Sequence, residues 1–352
     1  MYMGNNLMAC TSMEPKRWHD AIVKSLEFCI GFDTFMNPSI QASCDVFLPL
    51  SCAGEREGTV FTHYAPCTVT TGFMHKAYSA GETMADYELC YEMGKRLNPK
   101  RFEQYASAKE LMEHLRLGSN QHGKYFDEVS TAVHSQVPIM YYKYEIGELR
   151  QDSRPGFPTP TGRVELWTTS YPALGEDPLP YYIEPHFSPV SQSEWMTDEY
   201  REKYPFILTT GQRVFPFFHS EQRQIPRLRE LHPDPIVEIN PKTAKKLGVT
   251  DGQWVRLESP FGECVHKAKV TEIVDEKTVA AEHAWWFPEE DGNEPNLYGT
   301  FRSNINNLIP NFHMGKIGFG APVKCLICSV EPLAENYDTD MDLIWEKFGK
   351  LV

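Results

Sequence analysis

Residues 238–263 read EINPKTAKKLGVTDGQWVRLESPFGE, and this stretch decides how the later part of the chain folds. Asn240 can offer its side-chain oxygen to the first unpaired amides of a helix. Pro241 suits the first helical position, where its missing N–H is no loss, and Gly248 can take the left-handed conformation that closes the helix. TDG then turns the chain into QWVRLES, which predicts a strand. SPFG is a tight turn, and ECVHKAKV returns antiparallel. A short helix between strands, a hairpin and a further strand at TVAAEH predict a small β-barrel.

Upstream of the barrel, residues 145–203 are crowded with Pro and Gly (RPGFPTPTG, SYPALGEDPLPYY, EPHFSP) and cannot form one regular element. They predict an extended connection whose aromatics, Phe157, Trp167, Tyr171, Tyr181, Tyr182 and Phe187, pack on a neighbouring surface. Before it, PKRWHDAIVKSLEF predicts a helix entered at Pro15, with Trp18, Ala21 or Ile22, and Leu26 on one face. LEFCIGFD and CDVFLPL are compact apolar runs suited to buried parallel strands, and TMADYELCYEMGKRL and SAKELMEHLRL predict further helices. Strand, helix and strand in that order give an α/β layer. The expected organisation is therefore an α/β domain over 1–150, a connecting segment over 151–203 and a mainly β domain over 204–352. Met1 begins at the end of a strand, so the sheet is expected to lack an earlier half.

The 352 residues suffice for about two domains with cores of their own. A net charge of −14 with no Lys/Arg stripe argues against a nucleic-acid partner. No apolar run is long enough to span a membrane, and MYMGNNLMAC lacks the parts of a signal peptide. The nine cysteines are odd in number and scattered, which fits reduced thiols. The single CxxC, Cys325 and Cys328, lies in an apolar strand that sends positions three apart to opposite faces, so it predicts two packed thiols rather than a metal site. No residue is assigned to a metal, and no nucleophile–base pair has convincing spacing.

Three constellations can carry binding chemistry. TTGQR (209–213) ends the strand PFIL with small residues that let backbone donors approach a ligand, and Arg213 can pair with a phosphate; Phe218, His219 and Ser220 follow at the same rim. The alternative is a plain loop with a surface arginine. In FRSNINNLIP (301–310), Asn304, Asn306 and Asn307 offer both donors and acceptors to a heteroaromatic ring edge, or else form Asx turns bracketing a short strand. Lys324, after a glycine-rich run, can meet a phosphate or be solvated. In the first segment, GFDTF ends a strand with an acid suited to a nucleotide, and Glu55, Arg56 and Glu57 make a charged turn or an internal salt bridge. Trp285 and Trp286 are expected to pack at a domain contact.

Taken in order, GNN (4–6), DTFMNPSIQASCDVFLPL (33–50), EREGT (55–59), PGFPTPTGRVELW (155–167), LTTGQR (208–213), LGVTDGQWVRLESPFG (247–262), SNINNL (303–308) and APVK (321–324) resemble the dimethyl sulfoxide reductase family of molybdenum and tungsten enzymes over nearly the whole chain. The resemblance implies a partial Rossmann-like α/β layer followed by a double-psi β-barrel that closes over two molybdopterin guanine dinucleotides. It places Asn5 and Asn6, Phe32 and Asp33, Arg56, Asp86, Thr210, Gly211, Gln212, Arg213, Phe218, His219, Ser220, Asn304, Asn306 and Lys324 at the cofactor. The family usually reads TGR, so in TGQR either Gln212 takes the arginine's place or Arg213 does through a shifted turn. WWFPE (285–289) with SNINNL resembles the branch that holds acetylene hydratase, pyrogallol transhydroxylase and catechol dehydroxylases.

The resemblance further implies that the metal's protein ligand and a 4Fe-4S cluster belong to an N-terminal part preceding this sequence, so no catalytic residue is assigned here. Expected partners are that part, or a separate catalytic chain, together with an iron–sulfur electron-transfer subunit. The compartment stays open between the cytoplasm and export by a twin-arginine signal on the preceding part. Two rival readings stand beside this one. A non-catalytic subunit or remnant would keep the fold as a binding module, and a hydrolase on a β-barrel would use His219 as base.

Overall fold

The computed structural model describes residues 2–4, 6, 12–62, 68–115, 134–138, 142–311 and 324–350. Asn5, one of the expected cofactor residues, lies outside them.

Among the described residues, three short strands, β1 (Tyr2–Gly4), β2 (Ile30–Asp33) and β3 (Val46–Pro49), form one sheet in that order. β4 (Gly58–Thr62), β5 (Thr68–Met74) and β6 (His134–Pro138) form a second. Both of its pairings are antiparallel, which the sequence reading of a parallel layer does not anticipate. The chain divides into two compact units, one made of Phe32–Phe35 and Leu48–Ser170, the other of Met1–Gly31, Met36–Phe47 and Tyr171–Val352.

The first unit holds helices at Asp86–Leu97, Pro99–Phe102 and Ala108–Leu115. Glu88 caps the first of these by accepting from the Ala85 amide at 3.0 Å, and Leu89 and Tyr91 are buried. In the second unit, Pro15 opens the helix Pro15–Ser25, as expected. Its buried side is Pro15, His19 and Ile22, while Trp18 and Leu26 are exposed. Asn37 caps the helix Pro38–Ser43 with two backbone hydrogen bonds of 3.0 and 3.1 Å to its side-chain oxygen. The stretch 145–203 is largely exposed, with helical structure only at Pro172–Leu174 and Asp198–Lys203.

The rest of the second unit is a closed barrel. β7 (Phe206–Gln212), β8 (Ile236–Ile239), β9 (Trp254–Ser259), β10 (Gly262–Val270), β11 (Thr278–Glu282) and β12 (Leu326–Pro332) close in the order β10-β8-β11-β7-β12-β9. β7 runs parallel to β11 and β8 parallel to β10, while the other four pairings are antiparallel. Period-two burial fills the interior: Val237 with Ile239, Val255 with Leu257 and Val279 with Ala281 are all fully buried. Closure leaves the barrel no free sheet edge.

The helix Pro241–Leu247 follows the sequence reading at both ends. Asn240 Oδ1 accepts from the Lys242 amide at 3.0 Å, and Gly248 has φ of 70°. Gly262, in the tight hairpin between β9 and β10, is a close approach: a Cβ there would lie 2.6 Å from the Asn307 carbonyl oxygen. The FRSNINNLIP stretch departs from the reading that put a short strand between Asx turns. It forms helical turns at Thr300–Ser303 and Ile305–Leu308 instead of a strand.

Candidate functional site

The site is built at the end of β7. β7 and β11 pair in register from Ile207 and Thr278 to Thr210 and Ala281, and then Glu282 faces Gln212, so Gly211 is the extra residue of a β-bulge. A bulge spends one residue and re-aims those that follow. Gln212 therefore ends the strand half-buried, and Arg213 stands outside it, exposed. The Gln212 Oε1 atom is buried with no hydrogen-bond partner. On the other side of β7, Lys324 donates to the Thr210 carbonyl at 2.6 Å. Neither Lys324 nor Arg213 has a carboxylate partner among the described residues.

The loop beyond β7 carries two bare aromatics, Phe215 at 100% and Phe218 at 59% exposure. Phe218 meets the His219 ring edge-on, with centroids 4.6 Å apart. His219 has φ of 51° and Ala284 φ of 61°, both left-handed for residues that bear a Cβ. Such strain, of order 1 kcal/mol or more, persists only where surrounding contacts hold it. The contacts are visible: His219 Nδ1 lies 2.9 Å from His283 Nε2, and His283 Nδ1 lies 3.3 Å from the Gln212 carbonyl oxygen. Ser220 is buried and its carbonyl accepts from Trp286 Nε1 at 2.8 Å.

Beneath this rim lies a buried charge network that the sequence does not disclose. Arg223 Nη2 donates to the His219 carbonyl at 3.0 Å and lies 3.5 Å from Glu282 Oε1. Glu282 Oε2 also meets His232 Nε2 at 2.7 Å. The Arg223 guanidinium sits 4.2 Å from the centre of the Trp285 ring and 4.5 Å from that of Phe217. Arg229, fully buried, donates to both oxygens of Glu289 at 2.9 and 3.3 Å and to Thr339 Oγ1 at 2.7 Å. Burial still raises the Glu289 carboxyl above its ordinary range, more than Arg229 lowers it. Trp285 and Trp286 are thus interior residues of the barrel unit that carry this network.

The other expected residues fall in separate places. Asn304 is fully buried and its Oδ1 accepts from the Asn306 amide at 3.0 Å, capping the turn Ile305–Leu308. That is one Asx turn, placed before a 3-10 helix. Asn306 is buried, and its carbonyl accepts from the Glu14 amide at 3.1 Å. Asn6 is buried, its Oδ1 accepting from Ser39 Oγ at 2.7 Å. In the other unit, Arg56 Nη1 donates to Asp86 Oδ2 at 2.5 Å, joining two of the expected residues in one ion pair. Phe32 and Asp33 are half-buried, and Asp33 Oδ1 accepts from the Thr34 amide at 2.7 Å.

Cysteines contribute no metal site among the described residues, where no group of three or more His, Cys, Asp or Glu side chains could hold an ion. Seven described cysteines are free thiols. Cys328 is fully buried and Cys325 half-buried. Cys29 and Cys44 touch at 3.7 Å between sulfurs, and burial together with Cys29 pushes the Cys44 thiol up to about 12. No helix is long and apolar enough to cross a membrane among the described residues.

The end of β7 thus brings two cations, a buried unpaired amide oxygen and exposed aromatic rings to one part of a six-stranded barrel. Residues 206–323 match the family model of the Molydopterin dinucleotide binding domain. Over that domain and beyond it, the chain is similar to molybdopterin enzymes that include an acetylene hydratase and a dimethyl sulfoxide reductase catalytic subunit. It is 39% identical over 174 residues to a dopamine dehydroxylase of Eggerthella lenta, covering 48% of this chain and 16% of that protein. It is 29% identical over 273 residues to the acetylene hydratase of Syntrophotalea acetylenica, covering 76% of this chain and 34% of that protein. The solved acetylene hydratase from Pelobacter acetylenicus superposes with a TM-score of 0.78 at 23% identity, over 94% of this chain and 44% of that one. The chain thus spans between 16% and 34% of the length of these curated relatives.

Proposed function

We propose that this chain is the C-terminal cofactor-holding portion of a bis(molybdopterin guanine dinucleotide) oxidoreductase containing molybdenum or tungsten. The observation that carries the reading is the end of β7: Gln212 Oε1 buried without a partner, with Arg213 and Lys324 free of carboxylates among the described residues. Anionic diphosphates suit the two cations, and a pterin edge suits the amide. These residues therefore fit the group the family binds. Bound, the group supplies a redox-active metal for electron, oxygen or hydroxyl transfer.

In this reading the barrel has double-psi topology, and the region 1–150 supplies a Rossmann-like layer for one guanosine, with 151–203 as connection and 204–352 as the capping domain. Gln212 takes the place of the family's arginine, since the bulge at Gly211 keeps it in the ladder while Arg213 leaves it. Lys324 holds a phosphate, and His219 and Ser220 line the pterin path. Phe32 and Asp33 contact guanosine, and the Arg56–Asp86 pair sets one cation and one carboxylate side by side for phosphate and guanine. Asn6, Asn304 and Asn306 shape the pocket from behind, because the described hydrogen bonds already engage their oxygen atoms or backbone.

The metal ligand and a 4Fe-4S cluster belong to an N-terminal part of the same enzyme or to a partner chain, and electrons would pass onward through an iron–sulfur subunit. The test is to purify the intact protein and measure pterin, guanine nucleotide and metal per chain. About two dinucleotides per metal are expected from this reading. Lys324→Met should lower retention roughly tenfold, the loss of one charge-assisted hydrogen bond of about 1.5 kcal/mol. Protein that folds, is monodisperse and carries neither pterin nor nucleotide would overturn the proposal.

A further inference from the structure

His219, His283 and the Gln212 carbonyl are joined in a chain of two hydrogen bonds whose polarity is determined. The Gln212 carbonyl can only accept, so His283 Nδ1 carries a hydrogen. Neutral His283 then has its lone pair on Nε2, and the 2.9 Å contact requires the hydrogen to sit on His219 Nδ1. This is the less common form of a neutral histidine, which in solution prefers its hydrogen on Nε2. His219 Nε2 is left without a hydrogen bond to any described residue.

We propose that His219 and His283 form a one-proton relay at the rim of the barrel, in which His283 is the positioning residue that fixes His219 with its hydrogen on Nδ1, and His219 Nε2 is the nitrogen that takes up and releases the proton. Uptake at Nε2 makes a His219 cation and breaks neither hydrogen bond. Moving the Nδ1 proton along the 2.9 Å line to His283 Nε2 carries the charge inward against burial and Arg223, so the cation rests on His219 and visits His283 only transiently. One proton has been added, and the reverse steps return it to water or to a heteroatom of a bound ligand.

A second proton is opposed, because it would set N–H against N–H across the pair. The surroundings reinforce this. The Arg223 guanidinium lies 3.0 Å from the His219 carbonyl and 3.4 Å from that of His283. Glu282 is engaged by Arg223 and by His232. Burial, with His219 and Arg223 adding to it, holds His283 below its ordinary value against the Gln212 carbonyl and Glu282. The left-handed backbone at His219 and at Ala284, beside His283, is what aims the two rings at one another.

That the proton serves a cofactor rests on the function proposed above; the relay itself does not. The test is ¹⁵N NMR of histidine-labelled intact protein, with the His219 signals assigned by their loss in His219→Gln and cofactor content measured separately. Above the titration range, His219 should show a protonated Nδ1 and a bare Nε2. In His283→Phe the His219 pattern should revert to the solution form. His283→Gln should preserve it, since Gln can accept through Oε1 while its amide donates to the Gln212 carbonyl. A wild-type His219 with its hydrogen on Nε2, or a pattern unchanged in His283→Phe, would overturn the inference. If His283→Phe fails to fold, the wild-type pattern and His283→Gln still decide it. A cofactor-free protein with the expected pattern would sink the proposed function and leave the relay standing.

Discussion

Replacing Glu289 by leucine leaves a guanidinium with no counter-charge in the interior. Arg229 is 0% exposed and has Glu289 as its carboxylate partner, at 2.9 and 3.3 Å. Arginine does not neutralise itself by losing a proton, so the cost should be about 3–5 kcal/mol wherever Glu289 is ionised in the wild type. The converse change behaves differently. Arg229→Met leaves Glu289 buried, but a carboxyl can escape by binding a proton, and burial already raises its folded pKa above the unfolded reference of 4.5.

The sign follows from proton counting. With the folded pKa raised, the folded state binds more protons, so the stability contribution is complete below the unfolded pKa and is lost as pH rises through the folded one. Removing Arg229 takes away the main attraction that lowers this pKa, which stretches the window upward. Arg229→Met should therefore cost little in acid and lose about 1.4 kcal/mol per pH unit above it, reaching roughly 3 kcal/mol near neutrality. Joint replacement by methionine and leucine should come back to within about 1 kcal/mol of wild type or exceed it. Urea unfolding read by tryptophan fluorescence is the assay, since Trp285 lies 5.2 Å from the Arg229 guanidinium. Equal losses with the same pH dependence in the two single variants would refute the reasoning.

Burial pushes the Cys264 and Cys328 thiols well above their ordinary range, so neither should react with iodoacetamide at mildly alkaline pH while exposed Cys90 does; peptide mapping checks this, and equal labelling would mean the barrel interior opens readily. Asn240→Ala should cost about 1–2 kcal/mol, because the amide both accepts from the Lys242 amide at 3.0 Å and donates to the Val274 carbonyl at 2.9 Å. Asn240→Ser should recover part of that, keeping the cap without the second bond, and a serine variant no better than alanine would show that the cap contributes nothing.

The barrel's parts were legible wherever a local rule decides the backbone. Asn240, Pro241 and Gly248 bracket a helix by capping chemistry alone, and alternation marks the strands on either side. What stayed hidden depends on pairing across the chain. β5 and β6 pair antiparallel across more than sixty residues, Thr68 facing Pro138, and no local signal at either strand names the other. Arg223 and Arg229 stand in a stretch, RQIPRLRE, where no local signal marks them as buried. Only the fold brings Glu282, Glu289 and Trp285 over them. His283 was invisible for the same reason, since its partner His219 lies sixty-four positions away. FRSNINNL misled in a different way: Asn304 does form the expected Asx contact, but that contact caps a helical turn where a strand was one of the readings.

The TGQR departure also has a physical explanation in the ladder. Ala281 faces Thr210 and Glu282 faces Gln212, so the bulge absorbs Gly211 and keeps Gln212 as the last paired residue of β7. The carboxylate across from it is already committed: one oxygen of Glu282 lies 3.5 Å from Arg223 and the other 2.7 Å from His232. A further cation at position 212 would have to share an acceptor whose two oxygens are already engaged, in a poorly hydrated corner where an unpaired charge is expensive. A neutral amide avoids that cost and still offers donors and an acceptor to a ligand. The arginine one position later leaves the ladder for solvent, where its charge is tolerated without a partner. Local electrostatics and the bulge thus favour the same assignment, with the amide toward the site and the guanidinium at its rim.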